Sequence, residues 1–416
     1  MLQDDPSLEG IGLVIFDEFH ERSLDADLGL ALSFYGRELF REGAPLKLLV
    51  MSATLDGAAI AELLGGAPRV TSEGRSFPVD VVYGSHISAG DWNIWQLKSR
   101  LATLVEQALA DTDGNVLVFL PGMWEINQLQ NELNQRFAND VSLAVLPLYG
   151  NLSLADQQAA IAPPQQGERK VVLSTAIAET SLTIAGVTAV VDMGLSRQAV
   201  YDPASAMNRL VTRPVSKAAS KQRAGRAGRL SAGKAYRIWS QSQHDALEAF
   251  APPEMLQGDL APLALQLISW GIDDPNELAW LDAPPVGAWN QACQLLADLK
   301  AISPTSSPTE PRRFANHQYH TGWALTAHGE CLAGLPVHPR LAHMLVRAKA
   351  YGLSHIACDL AALLGESEVL PKDEAKRDNT VAHRLSLLST KGAKRAANSA
   401  TIQRIRAQSK RLQSLV

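Results

Sequence analysis

The sequence predicts an α/β protein: two successive strand–helix–strand units with parallel sheets, followed by a helical region. Three observations carry this. Apolar runs of strand length alternate with longer stretches of helical periodicity. The alternation breaks between about 75 and 90 and then restarts. From about 245 the strand pattern gives way to short, proline-punctuated helices.

In chain order, residues 11–16 predict a buried strand, Leu24 to Phe40 a helix, and Leu46 to Met51 a second buried strand with Ser52-Ala53-Thr54 in the following turn. Arg75-Ser76-Phe77-Pro78-Val79, with Gly84 and Gly90 beyond, reads as a linker. A helix over 93–111 and strands at 115–120, 145–148, 171–174 and 187–192 make the second unit, which ends near 240. Pro252-Pro253, Pro262 and Pro284-Pro285 then separate short helices, 303–311 predicts a loop, and 323–365 is Ala/Leu-rich and helical. Beyond the two α/β units there is no internal repeat.

The 416 residues leave ample material for sizeable cores, and the composition, 46% hydrophobic and 19% charged, is that of an ordinary globular protein. The net charge of −5 is unevenly spread: residues 371–416 hold 11 Lys/Arg against 3 Asp/Glu, leaving 27 against 40 elsewhere. A basic tail on an acidic body fits a nucleic-acid-facing segment or a solvated helical face. Cys293, Cys331 and Cys358 are scattered, without a CxxC pair, so neither a disulfide framework nor a zinc site is expected. No signal-like start and no 18-residue apolar run occur, so no membrane segment is expected and the cytoplasm is the default location.

Val14-Ile15-Phe16 runs into Asp17-Glu18-Phe19-His20. A carboxylate at a strand tip can hold Mg²⁺, usually through water, and a second beside it can orient and deprotonate an attacking water. Ser52 and Thr54 follow the next strand, where two hydroxyls can relay between a nucleotide site and a neighbouring domain; alone, this is only a turn. Gln222-Arg223-Ala224-Gly225-Arg226-Ala227-Gly228-Arg229 spaces its arginines by three, predicting a guanidinium stripe along a helix with small residues that allow close approach. Such a stripe suits a γ-phosphate; a generic anion-binding helix is the plainer reading. Gly228 to Ala235 nearly matches a phosphate loop, but Ala235 replaces the hydroxyl residue and a strand, not a helix, is predicted to follow.

Asp17-Glu18-Phe19-His20, Ser52-Ala53-Thr54, the run from Ser174 to Ile184 and Gln222 to Arg229, in this order, resemble the DEAH-box superfamily 2 helicases, with the acidic box and the region after Arg229 similar to the bacterial HrpB type. The resemblance implies tandem RecA-like domains, the first incomplete, and then an α-helical winged-helix and ratchet-like region. It implies residues 1–84 as the distal part of the first domain, 85–244 as the second, 245–302 as winged-helix-like, 303–370 as the start of the ratchet-like domain and 371–416 as a basic helical tail. ATP and Mg²⁺ are the implied cofactors. Asp17 matches the Mg²⁺-linked acid, with Glu18 beside it at the Mg²⁺ and as catalytic base; Gln222 places the water; Arg226 and Arg229 are the arginine fingers; Asp17, Glu18, Thr183, Arg226 and Arg229 bind the nucleotide. His20, Ser52 and Thr54 couple the sites, and Thr175 and Thr180 contact single-stranded nucleic acid, RNA ahead of DNA. The strands 197–201 and 208–213 about Asp202-Pro203-Ala204-Ser205 suggest a β-hairpin, which in the family sits near the duplex junction.

The sequence departs from the family at Ala176 and Ala185, where relatives commonly carry polar or acidic residues. Only thirteen residues precede Val14, so the phosphate loop expected upstream is missing and the chain is expected to be a fragment at both ends. Three readings follow: an ATP-dependent helicase moving 3′→5′, a shortened nucleic-acid-binding protein without ATPase activity of its own, or a partner supplying arginine fingers to another chain.

Overall fold

The computed structural model describes residues 5–41, 43, 45–53, 57–72, 77–179, 182–202, 207–305, 322–366, 368–370, 372–375, 377–388 and 399–416. Thr54, Thr180, the Pro203–Ser205 turn and most of the 303–311 segment therefore lie outside the described residues. The chain divides into two compact units: Ile15–Ser23 with Leu48–Gly258, and Met1–Val14 with Leu24–Lys47 and Asp259–Val416.

The first elements are β1 (Leu13–Phe16), α1 (Leu24–Leu39), β2 (Lys47–Val50) and α2 (Gly57–Leu63). β1 and β2 pair with each other as a two-stranded sheet. They were expected to be buried, yet Leu13 is 45% and Ile15 51% exposed, and Leu49 and Met51 are exposed as well. Among the described residues no further strand joins this pair, and alternate apolar residues along it, Leu13, Ile15, Leu49 and Met51, are left exposed while those between them are half-buried.

The second sheet is built from β3 (Val79–Tyr83), α3 (Ile94–Asp111), β4 (Asn115–Phe119), α4 (Met123–Arg136), β5 (Leu143–Leu148), α5 (Leu154–Ile161), β6 (Arg169–Ser174) and β7 (Val187–Asp192). After the hairpin β8 (Leu195–Asp202) and β9 (Met207–Pro214) come α6 (Lys217–Gly225) and β10 (Gly233–Arg237). The strand order is β3-β10-β7-β4-β6-β5, parallel throughout. Val79–Tyr83, expected in a linker, is thus an edge strand of this sheet, held by β10; a proline and a short apolar run concealed the pairing partner more than 150 residues away.

Central strands read as continuous apolar runs because both faces are covered. Along β4, Val116, Val118 and Leu120 enter one core while Leu117 and Phe119 enter the other. α3 starts where the Asn93 side chain accepts the Gln96 N–H (3.2 Å), a standard N-cap. Its buried stripe of Ile94, Leu97, Leu101, Val105 and Ala108 recurs at helical spacing against the sheet. β8 and β9 pair antiparallel from Leu195↔Pro214 to Asp202↔Met207, as the sequence led one to expect.

The chain continues through α7 (Gln241–Asp245), α8 (Ala261–Ser269), α9 (Val286–Asp298), β11 (Ile302–Pro304), β12 (Trp323–Leu325), α10 (Ala327–Ala333), α11 (Pro339–Ala350) and α12 (Ser354–Leu364), then α13 (Lys372–Ala375), α14 (Val381–Ser386) and α15 (Ser399–Leu415). β11 and β12 form an antiparallel pair beside α8 and α9. The basic tail is no loose extension. α15 packs on α12, burying Ile402, Ile405 and Leu412, with Ser409 Oγ donating to Asp359 (2.6 Å) and Arg404 pairing with Glu366 (3.1 Å). Arg384 likewise binds Glu368, so part of the tail's charge is engaged within the protein.

Candidate functional site

At the tip of β1 the chain turns through Glu18, whose φ of +48° lies in the left-handed region. For a residue with a Cβ this costs on the order of 1–3 kcal/mol, held by the surrounding structure. The Glu18 N–H donates to Asp17 Oδ1 (2.8 Å), and Asp17 itself is exposed. Phe19 is buried and anchors the turn; its N–H donates to Met51 O (3.0 Å) and the Met51 N–H to Phe16 O (2.8 Å). The ends of β1 and β2 are thereby tied together.

One imidazole joins three motifs. His20 Nδ1 lies 3.4 Å from Glu18 Oε2 and 3.5 Å from the Ala53 N–H, next to Ser52, while His20 Nε2 contacts the Gln222 side-chain amide on α6. The Gln222 amide and the Ala53 N–H thus bracket the ring, with the Glu18 carboxylate on its Nδ1 side. Ser52 is exposed at this turn.

α6 is capped by Ser216, whose side chain accepts the Ala219 N–H (3.1 Å). It ends at Gly225 and tightens into a 3-10 turn over Arg226–Gly228. The expected guanidinium stripe is therefore not formed. Arg223 is 1% exposed and points into the protein, donating to Glu179 (3.1 Å) and Asp192 (2.9 Å) with its guanidinium over the Phe119 ring. Gly228 needs its missing Cβ: that atom would lie 2.6 Å from Phe77 O, and the Phe77 N–H donates back to Gly228 O (2.9 Å).

Arg226 is also buried. Its Nε donates to Glu179 O (2.9 Å) and its other nitrogens to Glu179 O and Leu182 O, the latter at 2.8 Å. Burial, reinforced by the neighbouring Arg229 charge, lowers its pKa to about 10, while Glu18 and Glu179 pull the other way. It stays charged at neutral pH. Arg229 is exposed and donates to Thr183 Oγ1 (2.7 Å). Thr175 ends β6, its N–H bonded to Leu148 O (3.3 Å), and Ala176 beyond it is exposed.

Glu18, His20 and Gln222 thus meet around the Ser52–Ala53 turn, with Asp17 exposed beside Glu18, while Arg226 lies against Glu179 and Leu182 and Arg229 against Thr183. Three residues carry this arrangement beyond the expected site: Arg223, which spacing placed in the guanidinium stripe, and its partners Glu179 and Asp192. Burial raises the Glu179 carboxyl above its usual value despite the opposing pull of Arg223. Burial works against the Arg223 charge, but Asp192 and Glu179 outweigh it and raise its pKa. The available signal was the small-residue setting of Arg223, with Ser220 one turn before it and Ala224 and Ala227 after it, which marks a buried side of the helix.

Among the described residues no group of three or more His, Cys, Asp or Glu side chains could hold a metal ion unaided. Asp17, an exposed carboxylate at a strand tip, could instead share a Mg²⁺ with nucleotide phosphates.

A profile of the helicase conserved C-terminal domain matches residues 99–231. The ATP-dependent RNA helicase HrpB of Escherichia coli (strain K12) is 44% identical over 369 residues, 88% of this chain and 42% of that protein. The crystal structure of Escherichia coli DEAH/RHA helicase HrpB superposes with a TM-score of 0.80 at 39% identity, covering 100% of this chain and 47% of that one. The chain belongs to the DEAH-box helicases of the HrpB type. Its parallel-sheet unit is accordingly a RecA-like fold, followed by a helical region. The human protein named probable ATP-dependent RNA helicase DHX35 is 32% identical over 376 residues, 86% of this chain and 50% of that protein. The chain thus spans about half the length of the curated helicases it matches.

Proposed function

We infer that these residues belong to an ATP-dependent RNA helicase that couples ATP hydrolysis to 3′→5′ movement along a single strand, RNA in preference to DNA. The observation that carries this reading is the joining of Glu18, the Ser52–Ala53 turn and Gln222 through His20, with Arg226 set rigidly against the 174–184 segment. In this reading Asp17 would hold Mg²⁺, Glu18 takes the proton of the attacking water, and Gln222 helps place that water. Arg226 and Arg229 face the charge that grows on the γ-phosphate, and Thr183 orients Arg229. The Mg²⁺ supplies charge neutralisation at the phosphates when bound. Thr175 and Thr180 contact the nucleic-acid backbone, and His20, Ser52 and Thr54 pass the nucleotide state between sites. The domain assignment is that implied by the resemblance, with Val79–Tyr83 moved to the second RecA-like domain, 245–302 as winged helix and 303–370 as the start of the ratchet-like domain. The β11–β12 pair packs beside α8 and α9 and runs past 302, so it favours extending the winged-helix assignment to Leu325.

The 416 residues contain no Gly-x₄-Gly-Lys-Ser/Thr run opening a helix; Gly228 to Ala235 leads into β10. The phosphate cradle is therefore not among this chain's contributions. The test has two parts. The purified chain should bind single-stranded RNA with a salt slope of about −0.7 per phosphate contacted, yet release phosphate far below the ordinary range of roughly 1–10³ s⁻¹. In a protein that joins these residues to a phosphate loop, Glu18→Gln should abolish turnover and spare ATP binding. Failure of the chain to bind any single strand, or equal loss of ATP binding and turnover in Glu18→Gln, would overturn the reading.

A further inference from the structure

The outer faces of α3 and α4 are mostly polar, with Gln96, Ser99 and Glu106 exposed on one and Asn127, Asn131 and Gln135 on the other, apart from Met123, which is exposed at the start of α4. Trp95 breaks this pattern. It is 62% exposed, in the first turn of α3, and its ring meets Trp124 of α4 edge to face with centroids 5.4 Å apart. Lys98 Nζ sits 5.8 Å from the Trp95 ring centroid. The pair is held in place: Ile94 and Leu97 beside Trp95, and Ile126 after Trp124, are buried in the core, and Asn93 caps the helix. Trp95 is therefore presented outward by a rigid element, with Trp124 against it and Met123 exposed at the start of α4.

Its position in the topology narrows the occupant. α3 is entered from the carboxyl end of β3 and α4 from the carboxyl end of β4, so both tryptophans stand on the carboxyl edge of the parallel sheet. In open α/β sheets that edge is where ligands bind. Thr175, at the end of β6, and the root of the β8–β9 hairpin, after β7, lie on the same edge. The hairpin root is also tied to α4, since Arg197 pairs with Glu125 (3.1 Å) and packs over Gly122.

We propose that Trp95, backed by Trp124 and flanked by Lys98, is a base-stacking platform for single-stranded nucleic acid on the second RecA-like domain. The proposal rests on the helicase reading above. A ring face with a lysine and neutral amides around it suits a nucleobase, which offers its own π-face and hydrogen-bonding edges, better than it suits a wholly apolar protein segment. The surrounding charges are mixed, with Lys98 3.6 Å from Glu132, so the platform adds stacking rather than phosphate neutralisation.

The experiment uses the purified chain and a short oligouridylate carrying 5-iodouridine. Wild type should bind and photocrosslink at Trp95 or Trp124. Trp95→Ala should weaken binding about 5- to 150-fold, the range set by base–aromatic stacking, without changing the salt slope, and Trp95→Phe should restore most of it. Binding by wild type with no loss in Trp95→Ala, or crosslinks confined to other segments, overturns the platform and leaves the helicase reading intact. A wild type that binds no strand overturns both. Self-association of wild type that Trp95→Ala abolishes, with RNA binding unchanged, overturns the proposal in favour of an interface between copies.

Discussion

β1–β2 and the six-stranded sheet are both announced by apolar runs that end in chemistry, yet they are built differently. In the central strands of the larger sheet the runs are almost wholly buried, alternate side chains entering two separate cores, and the polar group at the end of β7 is drawn inside: Asp192 pairs with Arg223, itself 1% exposed. In β1–β2 the apolar residues are half-exposed and Asp17 stands open to solvent. The difference teaches that an apolar run specifies a strand, whereas burial needs covering partners. It also separates two uses of charge. Within the sheet, charge is locked for architecture; at the strand pair, it is presented.

The sharpest way to break this contrast is Arg223→Leu. It leaves Glu179 and Asp192 buried without their cation, and loss of one partner of a buried pair costs about 3–5 kcal/mol. Urea unfolding should show that loss, while Arg229→Leu, at an exposed position, should change stability by no more than about 0.5 kcal/mol. Comparable costs for the two would show that Arg223 is not an architectural group.

Packing gives the next comparison. Leu173 in β6 is fully buried, so Leu173→Ala should cost about 2–5 kcal/mol. Leu49→Ala in β2, at a 43% exposed site, should cost about 0.5 kcal/mol. Thermal melts of the two variants decide it, and a large loss from Leu49→Ala would mean that the strand pair is covered in solution.

Acid titration sharpens the electrostatic side. Burial raises the Glu179 carboxyl, so the folded state keeps its proton at a pH where the unfolded chain, near 4.5, has released it. Its contribution is therefore fully present below pH 4.5 and is lost as pH rises through the folded value. Glu179→Gln should flatten the stability–pH curve in that window; an unchanged curve would show that Arg223 keeps Glu179 ionised throughout.

The smallest effect is expected at the junction of the motifs. His20→Ala removes hydrogen bonds worth about 1 kcal/mol and should speed amide exchange at Ala53 more than at residues within β6. Uniform exchange changes would contradict a local linking role.

Local sequence determined a good deal here. The alternation of strands and helices, the hairpin from Leu195 to Pro214 and the rejection of Gly228 to Ala235 as a phosphate loop all followed from periodicity and turn chemistry, which act over a few residues. So did the chemical types in the candidate site, since carboxylates at a strand tip and arginines at fixed spacing carry their meaning in the motif. Tertiary structure alone decided which arginine is which. Arg223, Arg226 and Arg229 have nearly the same neighbours in sequence, yet the helix tightens after Gly225 and sends the first into the core, the second onto two carbonyls and the third to Thr183. It also decided that Val79–Tyr83 is an edge strand, that α15 packs on α12, and that His20 meets Gln222. These are pairings between residues far apart in the chain, and they depend on how packed elements meet, which no local spacing records.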